Sequence, residues 1–263
     1  MKKLILIPLF LLAFTSFTQQ KPKLVVGIIV DQMRQEYLYR FFEKYGDDGF
    51  KRLMNDGYNF KNTHYNFVPT YTAPGHASVY TGTTPAYHGI IGNSWYDKHK
   101  KEKIYCAGDN TVKTVGSNTD RGQMSPRNLV TSTISDQLRL STQKRAKVIG
   151  LSIKDRGAIF PAGHMGEAYW YDKSTGDFIT STYYMDQLPK WVADFNKKKR
   201  PDYYLKKRWE PVKPIKTYIE SGTDAVPYES PLNKKTASFP YDLEAENYWM
   251  MTETPFGNEL LTE

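Results

Sequence analysis

Five residues of this 263-residue chain have the types and placement for metal or phosphate chemistry. Asp31 follows the apolar run KLVVGIIV at 23–30. A carboxylate just beyond a buried strand suits a cation such as Zn²⁺, and aspartate is equally a preferred helix N-cap. Thr72 sits in TYTAPGHASVYTG at 70–82, before a helical stretch expected at 76–81. Free backbone N–H groups and the helix dipole at such a start favour a phosphate or a developing alkoxide. A threonine hydroxyl attacks phosphorus only when a base or metal ionises it; the same residue also reads as an ordinary helix-start threonine. Asn93, in GIIGNSW, has amide hydrogens to offer a phosphate oxygen, and Gly-Asn is also a common turn pair. Lys154 and Arg156 follow a second apolar run, AKVIGLSI at 146–153. Arginine clamps two oxygens and lysine adds a point charge, whereas the bland reading is a solvated charge run.

Stepping from these residues to the elements that must hold them, both apolar runs read as strands buried on two faces, at 23–30 and 146–153. Helical spacing follows at 35–45 and 49–56, the latter stopped by Gly57. Ser125-Pro126 opens a further expected helix running through Leu138. Two strands joined through helices predict a right-handed crossover in a doubly wound sheet. Residues 167–172 and 177–184, separated by Lys-Ser-Thr-Gly, predict a hairpin, and 188–197 a short amphipathic helix. Between 197 and 235, prolines at 201, 211, 214, 227 and 231 predict a loop-rich insertion in which no helix survives. Thr254-Pro255 starts a last helix with Phe256, Leu260 and Leu261 facing inward.

Composition narrows the class. With 40% hydrophobic, 24% charged and 14% aromatic residues, the chain is neither disordered, collagenous nor disulfide-rich. Its single cysteine, Cys106, has no internal disulfide partner. Lys2, Lys3, the apolar stretch 4–14 and the small polar residues after it read as a secretory leader, residues 1–18, too short for a membrane anchor. Removing it lowers the net charge from +8 to +6, which favours anionic partners. The expected product is periplasmic or secreted, with no membrane contact once the leader is cleaved.

Three segments together, VDQMR at 30–34, PTYTAPGHASVYTGTTPAYHGIIGN at 69–93 and SIKDRGAIFPAGH at 152–164, resemble the alkaline phosphatase superfamily. The likeness is to its secreted phosphate-irrepressible alkaline phosphatases related to type I phosphodiesterase/nucleotide pyrophosphatases, and it covers nearly all of the mature chain. It implies an α/β/α sandwich with a mostly parallel sheet and a loop-rich insertion. It further implies hydrolysis of phosphate monoesters through a phosphothreonine, with Thr72 as nucleophile, Asp31 and Thr72 as ligands of one zinc, and Asn93, Lys154 and Arg156 on the phosphate oxygens. The Lys/Arg pair separates monoesterases from the diesterase relatives.

The resemblance also implies two zinc ions whose other ligands come from an Asp-x-x-x-His and an Asp-His pair. Here the histidines are His64, His76, His88, His99 and His164, and none stands in either arrangement. The chain is therefore expected to be an N-terminal portion, inactive as it stands. The expected division is 19–196 for half of a catalytic domain, 197–250 for a lid-like insertion and 251–263 for the start of a returning core helix. The alternatives are a phosphodiesterase or nucleotide pyrophosphatase, and a non-catalytic exported binding fragment. The basic-aromatic stretch KKKRPDYYLKKRW at 197–209 has the composition of a nucleic-acid track, but a secreted chain rarely meets nucleic acid, and none is expected as a partner.

Overall fold

A computed structural model describes residues 22–232 and 237–263. The secretory leader lies outside the described residues. From Asp31 onward the chain forms one unit. It opens with α1 (Glu36–Arg40) and a 3₁₀ turn at Phe42–Lys44, followed by α2 (Phe50–Asp56), α3 (Thr72–Thr81) and α4 (Pro85–His88). The hairpin β1 (Ser94–Asp97) and β2 (Glu102–Tyr105) comes next, then β3 (Thr114–Val115), α5 (Ile134–Ser141), β4 (Ile149–Ser152) and α6 (Asp155–Ala162). β5 (Glu167–Asp172), β6 (Asp177–Ser181), α7 (Lys190–Lys197), α8 (Arg200–Leu205) and β7 (Arg208–Trp209) complete the central part. β8 (Tyr241–Asp242), α9 (Tyr248–Thr252) and α10 (Pro255–Leu261) end it.

The central sheet has the order β3-β6-β5-β4. Strands β4 and β5 are parallel, with Ser152 opposite Trp170, while β5–β6 and β3–β6 are antiparallel. A strand's side chains alternate between faces, and β5 uses both. Ala168 and Trp170 join a core with Ala73 and Ala77 of α3 and Ala158, Ile159, Phe160 and Ala162 of α6. Tyr169 and Tyr171 join Val192 of α7, Leu205 of α8, Met251 of α9 and Leu260 of α10. Helices thus cover both faces, the α/β/α layering that a strand apolar on both sides demands. Small residues bring α6 close to the sheet: a side chain at Gly150 would lie 2.2 Å from the Ala158 carbonyl oxygen.

Four expectations need correction. Residues 23–30 form no strand; Leu24, Val25, Val26 and Ile28 are each at least 69% exposed. A strand exists only where a neighbour completes its ladder, and the described residues before Asp31 supply none among themselves, so no crossover is built on this run. The helix expected from 125 starts only at Ile134. Ser125 Oγ donates instead to Asp109 at 2.6 Å, and Thr133 and Asp136 form a reciprocal capping box that sets the true start. The insertion does hold a helix, α8, because Pro201 falls in its first turn, where a missing N–H costs nothing. Finally, of the three pairings in the central sheet among the described residues only β4–β5 is parallel: the tight turn between β5 and β6 makes that pair antiparallel, and β3, reached by a long connection, pairs antiparallel with β6.

Candidate active site

Thr72 is the first residue of α3, preceded by extended Tyr71 at the N-cap. Its hydroxyl does not cap the helix; Oγ1 donates to Asp31 Oδ2 at 3.0 Å. Asp31 lies in a turn and caps nothing, since α1 begins at Glu36 with Gln35 as its cap. Both capping alternatives are therefore unrealised. The expectation that Asp31 stands at a strand end also fails, because no strand precedes it. What joins the two residues is a direct side-chain contact across 41 positions.

Asn93 reaches the same helix start. Its Oδ1 accepts from the Ala73 N–H at 2.9 Å, which fixes the amide with Nδ2 free to face a ligand. Its carbonyl accepts from Cys106 N–H at 3.1 Å, tying it to the end of β2. His76 Nδ1 is bound to the Thr72 carbonyl oxygen at 2.8 Å.

Arg156 enters from the first turn of α6, which packs directly on α3. Its Nη1 donates to Tyr105 Oη at 3.0 Å, and Tyr105 donates in turn to Asp155 Oδ1 at 2.5 Å. Burial opposes the Arg156 charge, but Tyr105 and Asp155 outweigh it and hold its pKa above the ordinary guanidinium value. Burial, reinforced by Asp155, pushes the Tyr105 phenol far up, so it remains an O–H donor. Arg156 Nε is buried without a partner among the described residues, a donor that awaits an acceptor. Lys154, the N-cap of α6, is exposed, with Nζ 4.0 Å from Glu253. The two cations line a cavity of about 360 Å³ together with Tyr105, Arg121, Trp170 and Lys173. Asp31, Thr72 and Asn93 are not among its lining; they form a second cluster, linked to the first through Cys106–Tyr105 and the α3–α6 packing.

The chain belongs to the type I phosphodiesterase/nucleotide pyrophosphatase family. The match to that family runs over residues 25–247. Among curated relatives of this phosphodiesterase-family chain, alkaline phosphatase PhoV of Synechococcus elongatus is 51% identical over 251 residues, covering 94% of this chain and 46% of its own. Alkaline phosphatase PafA of Elizabethkingia meningoseptica is 51% identical over 247 residues, covering 91% and 45%. A protein of Myroides odoratus named calcium-transporting ATPase is also 51% identical, over 92% of this chain and 45% of its own. The crystal structure of wild-type PafA superposes with a TM-score of 0.89 at 50% identity over 92% of this chain and 48% of that one. A PafA variant with one threonine changed to serine and one asparagine, one lysine and one arginine changed to alanine superposes at 0.86, with 48% identity over 89% of this chain and 46% of its own. The chain spans about half the length of the relatives it matches.

Tyr105 and Asp155, which orient Arg156, were beyond sequence reasoning. Tyr105 stands 51 residues from Arg156 with no motif around it, and Asp155 reads as one more charge in a run. As to a metal, Asp31 and Thr72 supply two oxygen donors where a tetrahedral zinc takes four. The described residues contain no group of three or more His, Cys, Asp or Glu placed to hold an ion. They do not complete a zinc site. No helix of the described residues is long and apolar enough to cross a membrane.

Proposed function

We propose that this chain carries the nucleophile and the phosphate-binding side of an exported phosphate monoesterase. The observation that carries the reading is the aimed hydroxyl of Thr72, held by Asp31 at the N-terminus of a ten-residue helix whose first turn also grips Asn93. In this reading Thr72 Oγ1 attacks phosphorus and the ester P–O bond breaks, while the hydroxyl proton of Thr72 passes by way of Asp31 Oδ2 and water to the leaving alkoxide. Water then attacks the phosphothreonine and releases phosphate. Asn93 Nδ2 and the Arg156 guanidinium meet the non-bridging oxygens, and Lys154 adds charge. A monoester dianion is favoured over a diester, since its extra charge is met by the pair at the start of α6.

Further support comes from the pattern of residues altered in the PafA variant. In that protein the asparagine follows the threonine by 21 positions and the arginine follows the lysine by two, the separations of Thr72 from Asn93 and of Lys154 from Arg156. Zn²⁺ belongs to the same proposal, with Asp31 and Thr72 as two of its ligands and the rest contributed from outside the described residues. Because two donors hold an ion weakly, the chain by itself is proposed to be catalytically silent. The leader at 1–18, the half-domain at 19–196, the lid-like insertion at 197–250 and the returning helix at 251–263 complete the reading.

Titration calorimetry with inorganic phosphate tests it. Arg156→Ala and Asn93→Ala should each weaken binding by roughly 10- to 100-fold, the scale of a charge-assisted hydrogen bond. Unchanged binding in both variants would sink the clamp. Chelator-sensitive activity of the chain alone, lost in Thr72→Ala, would keep the nucleophile but overturn the silence.

A further inference from the structure

Arg121 and Lys173 line the cavity that holds Lys154 and Arg156, and the function above assigns them nothing. Their placement is built by the sheet. The parallel register puts Ser152 opposite Trp170, so the chain beyond the carboxyl end of β4 brings Lys154 alongside the turn after β5, where Lys173 is the first residue. Trp170 Nε1 donates to the Arg121 carbonyl oxygen at 3.0 Å, which pins the loop carrying Arg121 to the same strand.

Four cations thus share about 360 Å³, within the roughly 300–1,000 Å³ usual for small-molecule sites. The acids nearby are already engaged. Asp155 Oδ1 accepts from Tyr105 and from the Arg156 backbone, and Glu253 stands beside Lys154. Neither Arg121 nor Lys173 has an ion pair among the described residues, and the undescribed ones contain no Asp or Glu to offer. Like charges left facing each other in a half-buried site cost energy unless an anion joins them. The Lys173 ammonium carries that cost: burial first, then Arg121 and Lys154, push its pKa below the ordinary lysine value, and Glu253, which acts the other way, does not restore it.

We infer that Arg121 and Lys173 form a second anion subsite beside the Lys154/Arg156 clamp, receiving another phosphoryl group of the same substrate molecule. The inference rests on the phosphate-clamp reading above. It makes the preferred substrates compounds with two phosphoryl groups a few bonds apart, of which one is transferred and the other anchors. An exposed arginine on a loop and a lysine on a turn leave the chemistry at Thr72 untouched and change which ester is selected.

Binding separates this from the clamp itself. Titration calorimetry of the 263-residue chain in chelator-containing buffer would compare inorganic phosphate with methylenediphosphonate, whose two phosphorus atoms cannot be separated by hydrolysis. The diphosphonate should bind about tenfold more tightly than phosphate. In Arg121→Gln/Lys173→Gln that advantage should vanish while phosphate affinity stays within about twofold, and in Arg156→Ala both ligands should weaken. Far-ultraviolet circular dichroism would check that the glutamine variant is folded, and each single variant should show part of the loss. A wild-type advantage of twofold or less, or an advantage that survives in the double variant, overturns the second subsite. If Arg156→Ala spares phosphate while Arg121→Gln/Lys173→Gln abolishes its binding, the clamp assignment fails, and with it the two-subsite arrangement.

Discussion

At the scale of single residues, the hydroxyl of Thr72 and the guanidinium of Arg156 are held by different kinds of partner, and this separates what their loss should do. Thr72 has a carboxylate on its oxygen, so Thr72→Ala removes the hydroxyl proposed to attack phosphorus. In a preparation with a complete metal shell, acid-quenched samples of this variant should show no phosphothreonine by intact mass. Arg156→Ala should leave that adduct detectable while slowing monoester turnover by roughly 10²- to 10³-fold, the scale for losing one preorganised donor. Tyr105 is a positioning residue, since its phenol touches Arg156 and Asp155 and no reacting atom. Tyr105→Phe should therefore weaken phosphate binding about three- to tenfold, with the loss disappearing in an Arg156→Ala background when the double-variant cycle is measured by calorimetry. The sequence singles out Asp31, Thr72, Asn93, Lys154 and Arg156 as candidates because their motifs are local. It hides Tyr105, Arg121 and Lys173, whose places beside Arg156 come only from contacts between distant segments.

At the scale of elements, the join of α5 to the end of α6 depends on one carboxylate. Asp136 accepts from the N–H groups of Thr133, His164 and Met165 at 2.8–2.9 Å and from His164 Nδ1 at 3.2 Å. Gly163, at φ +71°, lets the chain turn there; a side chain at that position would lie 2.3 Å from Thr133 Oγ1. Burial opposes the charge on Asp136, yet the His164, Thr133 and Met165 hydrogen bonds prevail and hold its carboxyl down to about 2. The same hydrogen bond raises His164 above the usual imidazole value against its burial. A raised imidazole stabilises below its unfolded value of about 6.5 and loses that contribution as pH climbs through the folded value; a depressed carboxyl stabilises above about 3.9 and loses it on acidification. The pair is thus worth most between roughly pH 4 and 6.5. Urea denaturation should find His164→Ala more destabilising at pH 5.5 than at pH 8.5. Asp136→Ala should cost about 2–4 kcal/mol at both, since it strands several buried donors. His88 has the opposite sign: burial lowers it, so its term is present above about pH 6.5 and fades on acidification.

At the scale of the whole molecule, β4 is an edge strand of the central sheet among the described residues, with Ile149 51% and Leu151 43% exposed. An apolar edge of this kind invites pairing with another chain. Leu151→Lys should raise the monomer fraction seen by size-exclusion chromatography with light scattering, with little change in melting temperature. Metal should matter little to stability. If Asp31 and Thr72 are the chain's only donors at the site, chelator should leave the melting temperature within about 2 °C, because an ion bound weakly to the native state adds little through mass action. A larger drop would mean that a metal shell is assembled from residues not assigned to it. The basic-aromatic stretch at 197–209 is largely spent within the fold: Lys199 pairs with Asp177 at 2.7 Å, Arg200 with Glu263, and Lys207 lies over Tyr203 and Tyr204.

By itself the sequence determined the hairpin expected at 167–172 and 177–184, the helix expected at 188–197 and the start of the last helix at Thr254-Pro255, and it singled out candidates for phosphate chemistry. Each depends on short-range causes: motif spacing, turn residues and caps. Only the tertiary structure decided the rest. Whether 23–30 is a strand depends on a ladder partner, and an apolar run cannot supply its own. Whether 125–133 is helical depended on Asp109, which takes the Ser125 hydroxyl away from a cap. The cavity of Lys154, Arg156, Arg121 and Lys173 exists because strand pairing carries three separate segments to one end of the sheet, and register is a property of paired strands.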